Sequence, residues 1–452
     1  MTKRVCVIGG GISGLCVAYR LKQAGVAVTL FEKSSSVGGN IKTEIVDGFL
    51  IEHGPNSTLL NRELLDLIND LRIPDQIQAP NARAKKRYIL LNGNLVQLPA
   101  RVVELFFNRA LSFRAKLRLL REPLIRSKAP PDESVAGFFE RRFGREIVER
   151  IVDPFVSGIY AGNPNRLSVR CAFPRLVELE RRFGSVIMGS IFARPRKGSE
   201  LPKGSPRSVT FKNGMQTLTD ELYSSLQGII RLGVSVEKVS RSAGCIKVQT
   251  TNSLEEFDAV VVSTPSNAAE DMIRGLDPSL ARRLGDVYYS PVAVVFTAFR
   301  SDQVEGDPQG FGFLVPSGER RDILGSLWTS SAFEGRTPKD GDWHLFTTFV
   351  GGSRNAQLAL VENDELIGAV LKDLRDVLGI NGDPRFSIVR KWEAAIPQYD
   401  LGYEKLYDAI STFRKSYPEV FFCSNFYRGI SVSDCVKNAA ATADEILDLL
   451  NS

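Results

Sequence analysis

A glycine cluster directly follows the first apolar run of the chain. Gly9, Gly11 and Gly14 have the spacing G-x-G-x-x-G, and Glu32 ends the next apolar run. In a strand–turn–helix unit the first glycine permits a tight turn and the second lets backbone N–H groups approach a pyrophosphate. The third lets the helix pack closely on the strand, and the acid binds ribose hydroxyls. The spacing therefore predicts a dinucleotide site.

A second glycine pair helps to distinguish an FAD site from an NAD site. Gly38-Gly39 comes soon after Glu32, and the block Glu52-His53-Gly54-Pro55-Asn56 follows. Nicotinamide-binding units rarely carry a second glycine turn so close to the ribose acid. FAD-dependent amine oxidases and desaturases use one to bring backbone close to the flavin side of the cofactor. FAD is therefore favoured over NAD, with an ordinary turn in a strand-rich loop as the alternative.

Two later segments are similar to the cofactor-side segments of the same flavoproteins. The strand-like run from Ala259 ends on Thr264-Pro265, and a glycine turn at Gly429 leads into an apolar C-terminal helix pattern. Because these pieces are far apart in the chain, the cofactor domain is predicted to be discontinuous. The long segments between these pieces are large enough to form a domain that covers the substrate.

Arg87 is the candidate for binding an anionic substrate. It directly precedes the strand-like run Tyr88 to Leu91. A flavin accepts hydride itself, so the protein must supply orientation and a dry pocket. A substrate with carboxylates would need an arginine in bidentate geometry. A plain surface cation is the alternative interpretation of Arg87.

Composition excludes several other classes of protein. With 452 residues, the chain should form two or three domains. Its two histidines argue against a metal site and a Ser-His-Asp triad, and its six cysteines, without a C-x-x-C pair, indicate reduced thiols. No apolar run is long enough to span a membrane. The first strand begins by Arg4, which leaves no room for a targeting peptide, so a cytoplasmic location is expected.

The net charge of +6 is concentrated in one segment, residues 101–128. Leucines and phenylalanines alternate with the cations at helical spacing, which predicts attachment to the surface of an anionic membrane. No nucleic-acid-binding module accompanies these cations, so nucleic acid is not an expected partner. A solvated helix whose apolar face packs internally is the alternative. The cations are Arg101, Arg109, Arg114, Lys116, Arg118, Arg121, Arg126 and Lys128.

Several blocks together resemble the protoporphyrinogen oxidases, FAD enzymes of haem and chlorophyll synthesis within the amine oxidase and desaturase superfamily. The resemblance covers essentially the whole chain in family order. The blocks are Gly38-Gly39-Asn40-Ile41-Lys42-Thr43, Glu52 to Ser57, Pro154 to Pro164, Gly310 to Pro316, Phe349 to Gly352 and Gly429 to Cys435.

The resemblance implies an α/β fold with three domains. A Rossmann-like FAD-binding domain would comprise residues 1–75, 208–275 and 395–452. A mixed-sheet substrate-binding domain would comprise 76–92 and 276–394. A helical membrane-binding insert would comprise 93–207, so that the protein lies peripherally on the cytoplasmic face of a membrane.

Site residues follow from the same resemblance. Arg87 matches the arginine that pairs with a substrate propionate, and Gly158 matches the glycine that faces the reacting edge of the tetrapyrrole. Phe311, Leu314 and Phe349 match apolar positions that sandwich its rings. The residues expected to contact FAD are Gly9, Gly11, Ile12, Ser13, Gly14, Glu32, Lys33, Gly38, Gly39, Asn40, Gly54, Pro55, Asn56, Ser57, Val236, Thr264, Gly429, Ile430, Ser431 and Val432.

The implied reaction removes six hydrogens from protoporphyrinogen IX, and oxygen reoxidises FAD to give hydrogen peroxide. Coproporphyrinogen III oxidation by the same mechanism is the first alternative. An amine oxidase or carotenoid desaturase of the same fold is the second, and a non-enzymatic porphyrin-binding flavoprotein is the third. A homodimer and a neighbouring tetrapyrrole-pathway enzyme remain open as partners.

Overall fold

The computed structural model describes residues 3–99, 108, 110–126, 129–193, 201–202, 204–242, 244–339 and 341–451. Arg101, Arg109 and Lys128 of the basic segment lie outside these ranges. The strands are β1 Arg4–Ile8, β2 Ala27–Glu32, β3 Thr43–Val46, β4 Phe49–Glu52, β5 Thr58–Leu59, β6 Ile77–Gln78, β7 Arg87–Leu91, β8 Asn94–Leu98, β9 Ser208–Phe211, β10 Ile230–Leu232, β11 Val236–Ser242, β12 Cys245–Thr250, β13 Leu254–Phe257, β14 Ala259–Val262, β15 Tyr289–Arg300, β16 Gly312–Leu314, β17 Ile323–Trp328, β18 Trp343–Gly351, β19 Phe386–Pro397 and β20 Val420–Phe422.

Helices connect these strands and cover the sheets. They are α1 Ile12–Gln23, α2 Arg62–Asp70, α3 Phe113–Arg121, α4 Val135–Phe143, α5 Arg145–Ile147, α6 Asp153–Tyr160, α7 Val169–Ala172, α8 Pro174–Phe183, α9 Val186–Phe192, α10 Gln216–Ser225, α11 Ser266–Ile273, α12 Pro278–Gly285, α13 Thr329–Ala332, α14 Asn363–Leu378, α15 Glu404–Ser416 and α16 Val432–Asn451.

A parallel sheet of five strands has the order β10-β2-β1-β14-β20. Its central strands are continuous apolar runs because both faces of a parallel sheet are buried. Helices α1 and α16 pack beside each other against it through apolar residues such as Leu15 and Val436. The chain leaves this sheet after β2 and returns to it at β10, at β14 and at β20. The predicted α/β class with a Rossmann-like sheet is confirmed.

A mixed sheet of seven strands has the order β19-β15-β18-β17-β16-β7-β8. Helix α14 covers one of its faces through Leu366, Val370 and Leu374. β7 and β8 form a hairpin whose turn residues, Asn92 and Gly93, have φ values of 52° and 75°, as a type I′ turn requires. The predicted domain boundary after residue 92 falls inside this hairpin. β8 therefore belongs to the sheet, and the first α-helix that the structure describes after it is α3.

The helical segment between β8 and β9 contains a π-turn at Val148–Val152, directly between α5 and α6. Pro154 follows and has no N–H to donate to the preceding turn, so the helical hydrogen bonding must be interrupted close to this position. Across the residues that the structure describes, no helix is both long and apolar enough to cross a membrane.

A buried ion pair joins the helices of this segment. Glu122 and Arg142 bond to each other and are almost completely shielded from solvent. Glu122 also accepts the backbone N–H groups of Val186 and Ile187 at the start of α9, at 3.0 and 3.3 Å. The carboxylate thus satisfies N–H groups that have no partner within the helix. α3, which ends next to Glu122, is in this way fixed relative to α4 and α9.

A buried carboxyl, Glu52, connects the β3–β4 hairpin to the start of α10. Its Oε2 accepts the Thr43 hydroxyl at 2.7 Å, and its Oε1 accepts the Met215 N–H at 2.7 Å. Burial raises the pKa of Glu52 to about 7. The two hydrogen bonds and the positive charge of Arg336 lower it, but by less.

Replacing Glu52 by Gln is expected to stabilise the protein relative to wild type as pH rises. The folded-state pKa lies above the ordinary value of 4.5, so the carboxyl is neutral without penalty below that pH. Between pH 4.5 and about 7, the carboxyl ionises in the unfolded chain but stays protonated in the folded protein. The free energy of unfolding therefore falls by about 1.4 kcal/mol per pH unit in this range. The amide does not ionise.

Urea unfolding at several pH values would measure this difference. The gap between Glu52→Gln and wild type should widen across that window and then become constant. The control is Glu393→Gln, which changes an exposed carboxylate of β19. An equal pH trend in both variants would contradict the assignment.

Candidate functional site

The first glycine loop lies at the carboxyl edge of the parallel sheet. Gly9 has a φ of 107°, which favours glycine. A Cβ on Gly14 would lie 2.0 Å from the Gly9 carbonyl oxygen. Helix α1 therefore approaches the end of β1 at a distance that only glycine allows.

Gly11 faces open space at the N-terminus of α1. A Cβ built on it would meet no atom within 4 Å. Gly11 is the N-cap of α1, no side chain caps the helix, and its first turn contains no acidic residue. The N–H groups of Ile12, Ser13 and Gly14 belong to this first turn, and such a helix end binds anions.

Glu32 ends β2 beside this loop. Its carboxylate accepts the Gly10 N–H at 2.6 Å and the Ser34 N–H at 2.8 Å. Lys33 is exposed next to it. The chain passes the same strand end again, where the Val234 N–H donates to the Glu32 carbonyl oxygen just before Val236 starts β11.

The second glycine pair packs directly on the first loop. The Gly38 N–H donates to the Gly10 carbonyl oxygen at 2.8 Å, and a Cβ on Gly39 would lie 3.4 Å from Gly11 Cα. A Cβ on Gly54 would lie 1.9 Å from the Asn40 carbonyl oxygen. Pro55, Asn56 and Ser57 continue from there as half-buried residues. The structure therefore brings together three glycine blocks that the sequence predicts for the cofactor.

The third and fourth parts of this cleft follow β14 and β20. Thr264 comes just after β14, and its Cγ2 would contact a Cβ on Gly9 at 3.3 Å. Gly429 has a φ of 138°, and Ile430 and Ser431 follow it into α16, which begins at Val432. The Ser431 hydroxyl accepts the Asp434 N–H at 3.0 Å and so caps α16.

Unsatisfied polar atoms indicate that this cleft holds a ligand. Thr264 Oγ1 and Asn56 Oδ1 are buried and have no hydrogen-bond partner among the described residues. Native proteins rarely leave such atoms unpaired. Together with the open space at Gly11 and the uncapped helix, they fit a polar dinucleotide cofactor.

An apolar row crosses the face of the seven-stranded sheet that α14 leaves free. Strand register pairs Leu314 with Gly325 and Gly325 with Phe349. Both large side chains are half-buried, and Gly325 between them has none. Leu314 contacts Gly158 of α6, where a Cβ would lie 2.4 Å from Leu314 Cδ2. The predicted residues Leu314, Phe349 and Gly158 therefore lie together.

Arg87 lies at the edge of this face. Its guanidinium carbon is 4.9 Å from the centre of the Phe311 ring, and Phe311 packs with Phe349 against one apolar cluster. Part of the Arg87 side chain reaches solvent, yet burial lowers the pKa of Arg87. Among the described residues no carboxylate forms an ion pair with it, so the charge is available to a ligand.

Helix α6 is held against the sheet at both ends. Near its start, Arg354 donates to Ser157 Oγ at 2.9 Å and to Asp153 Oδ2 at 3.3 Å. At its end, the Ala161 carbonyl oxygen accepts the Ser353 N–H at 2.7 Å and the Ser290 hydroxyl at 2.9 Å. These contacts fix the distance between Gly158 and the seven-stranded sheet.

Several residues near the site were not identified as site residues from the sequence. Phe155 and Ile159 lie on the same face of α6 as Gly158 and are exposed apolar residues. Gly325 separates Leu314 from Phe349, and an isolated glycine in a strand pattern is a signal that could have drawn attention to it. For Glu52 and Arg354, whose partners are distant in the chain, the sequence carries no local signal.

Comparison with known proteins places the chain in a family. The family model of the flavin-containing amine oxidoreductases matches residues 12–447. Protoporphyrinogen oxidase 2 of Arabidopsis thaliana is 36% identical, with 100% of this chain and 95% of the relative covered. Coproporphyrinogen III oxidase of Bacillus subtilis is 29% identical, with 100% and 99% covered.

A solved structure agrees with these relatives. A protein from Exiguobacterium sp. 255-15, assigned as a protoporphyrinogen oxidase, superposes with a TM-score of 0.81 at 26% identity over 99% of each chain. UDP-galactopyranose mutase, at 16% identity and a TM-score of 0.73, shares the fold. The predicted resemblance and the predicted cofactor are confirmed. The chain belongs to the flavin-containing amine oxidoreductase family and is an FAD-dependent enzyme.

Proposed function

We propose that this enzyme oxidises protoporphyrinogen IX to protoporphyrin IX by removing six hydrogens, with oxygen as acceptor and hydrogen peroxide as product. The observation that carries the proposal is the half-buried apolar row of Leu314 and Phe349 on one sheet face, with Arg87, which has no ion-pair partner among the described residues, at its edge. A large apolar macrocycle with carboxylates at one edge has the complementary size and charge.

FAD, when bound, supplies a hydride acceptor for a methylene bridge of the macrocycle. The chain supplies orientation. Leu314 and Phe349 would hold the ring plane, and Arg87 would bind a propionate. Gly158 has no side chain, so Leu314 packs directly on the backbone of α6, and the ring edge would lie beside both residues. The apolar surroundings keep water away from the reacting carbon.

The relatives support this substrate class. Protoporphyrinogen oxidases from Arabidopsis and Nicotiana are each 36% identical over the full chain. Coproporphyrinogen III is the alternative substrate, because the Bacillus subtilis oxidase named for it is 29% identical and 99% of its length is covered.

Anaerobic mixing with each porphyrinogen tests the proposal. Protoporphyrinogen IX is expected to bleach the flavin absorbance and to give fluorescent porphyrin, and admitting oxygen should then produce peroxide. Bleaching by coproporphyrinogen III alone would assign the alternative substrate. Bleaching by neither, in enzyme loaded with FAD, would refute porphyrinogen oxidation.

Gly11→Val is expected to abolish FAD binding without unfolding the chain. A side chain at this position meets open space in the protein but occupies the volume beside the helix N-terminus where the pyrophosphate would lie. Flavin absorbance of the purified variant, before and after reconstitution, measures the loss.

Gly368→Val is the matched control. Gly368 lies on the exposed side of α14, and a Cβ added to it would likewise meet no atom within 4 Å. This variant should retain a full complement of flavin. A Gly11→Val protein that purifies with the same flavin absorbance as the control would contradict the assigned position of the cofactor.

Arg87→Ala is expected to raise KM for the porphyrinogen by about tenfold to a hundredfold, because a charge-assisted bond to a carboxylate is lost. The value of kcat should change much less, since Arg87 does not react. The control is Arg83→Ala, which removes an exposed cation that pairs only loosely with Asp307, at 3.8 Å. If both variants have wild-type KM, Arg87 does not bind the substrate.

We also propose that the helical segment contacts an anionic membrane surface. α3 places cations beside exposed apolar side chains, among them Phe113 at 80% exposure, and Leu124 just beyond it is 78% exposed. Ile191 and Phe192 of α9 are exposed as well. Because Glu122 bonds the start of α9, these side chains belong to one connected body. Exposed apolar residues flanked by cations are typical of helices that lie in a membrane interface.

Replacing Arg114, Lys116 and Arg118 by Gln is expected to release the protein from vesicles that contain anionic lipid. Each cation near such a surface contributes about 1 kcal/mol. Co-sedimentation with these vesicles measures binding. The control replaces three exposed lysines on α15 and α16, Lys405, Lys415 and Lys437. Equal retention of both triple variants would place attachment elsewhere.

A further inference from the structure

Two buried residues, Gln398 and Tyr399, lie between the substrate side and the cofactor side of the site. They directly follow β19 and are 2% and 1% exposed. The backbone of these two residues is hydrogen-bonded to two other segments. The Gln398 N–H donates to the Tyr288 carbonyl oxygen, and the Tyr399 carbonyl oxygen accepts the Ser168 N–H at 2.7 Å.

Gln398 holds the end of α6, the helix that carries Gly158. Its Nε2 donates to the carbonyl oxygen of Tyr160, the last residue of α6, at 2.8 Å. A Cβ on Gly162 would lie 2.6 Å from Gln398 Oε1. The amide therefore packs against the helix end without spare space.

Tyr399 holds the loop that leads into α16. Its hydroxyl donates to the Asn425 carbonyl oxygen at 2.6 Å and accepts the Gly429 N–H at 2.9 Å. One hydroxyl thus bonds two residues of this loop, Asn425 and Gly429. A second tyrosine near it, Tyr403, donates to the Phe426 carbonyl oxygen at 2.7 Å, and the centres of the two rings lie 4.7 Å apart.

We propose that Gln398 and Tyr399 are positioning residues that fix the distance between α6 and the flavin-binding loop at Gly429. One residue bonds the helix and its neighbour bonds the loop, so the two sides cannot move apart without breaking buried hydrogen bonds. Hydride transfer depends steeply on separation, and a displacement of about 1 Å can lower the rate about a hundredfold. The part concerning α6 rests on the proposed function, whereas the effect on the flavin does not.

Tyr399→Phe tests the cofactor end. The change keeps the buried ring but leaves the Gly429 N–H and the Asn425 carbonyl oxygen unpaired. The dissociation constant for FAD is expected to rise about tenfold, and the visible spectrum of the bound flavin should shift. Tyr403→Phe, which removes one bond from the same loop, should have a smaller effect of the same kind.

Tyr417→Phe is the matched control. Its hydroxyl also donates to a backbone carbonyl oxygen, that of Leu276 at 3.2 Å, but outside the flavin-binding loop. This variant should bind FAD as wild type does. A Tyr399→Phe protein with wild-type FAD affinity and spectrum overturns the proposal, even if its melting temperature is lower.

Gln398→Leu tests the substrate end. This variant should bind FAD normally, while the anaerobic rate constant for flavin reduction by the porphyrinogen falls about tenfold or more, with KM within about twofold of wild type. An unchanged rate constant would overturn this part. If no porphyrinogen reduces the wild-type flavin, the proposed function fails, and FAD affinity and spectrum still decide the role of Tyr399.

Discussion

The contact between Gly14 and the Gly9 carbonyl oxygen determines how the cofactor cleft is built. Because a Cβ would lie 2.0 Å from that oxygen, α1 approaches the sheet more closely than any side chain would permit. The N-terminus of α1 is thereby brought to the edge where β1, β2 and β14 end. Glu32, Gly39 and Thr264 lie beside the first glycine loop, where Gly11 faces open space. The favourable field of the helix N-terminus is directed into it.

The substrate side depends on a different constraint, the shape of one sheet face. Gly325 supplies no side chain between Leu314 and Phe349, and a Cβ there would lie 3.2 Å from Leu314 Cδ2, so Leu314 packs over the backbone of β17 at this position. Arg87, which forms no ion pair within the described part of the chain, marks one edge of this face, and Gly158 of α6 marks the side next to Leu314. The two sides of the site are therefore formed by different physical means, backbone proximity for the cofactor and apolar area for the substrate.

The glycine blocks could be predicted from sequence because each reports a local requirement, a positive φ or a missing Cβ. The α/β class followed from the same blocks and from the apolar runs between them. The contact of Arg87 with Phe311 could not be derived from spacing, since the two residues meet only through the parallel pairing of β7 with β16. The roles of Glu52 and Tyr399 depend on partners in distant segments, which no periodicity encodes. The predicted boundary after residue 92 falls within a hairpin, because Asn92-Gly93 forms the turn between β7 and β8.

The π-turn at Val148–Val152 has a consequence for how this enzyme can vary in length. A π-turn accommodates one residue more than regular α-helical winding does, and each residue of an α-helix corresponds to about 100° of rotation. Losing a single residue there would restore ordinary winding and keep the face of Phe155, Gly158 and Ile159 towards Leu314, whereas losing one residue from a regular turn would rotate that face by about 100°. The π-turn is therefore the position in this helix at which a homologue can be one residue shorter and still keep the orientation of the site.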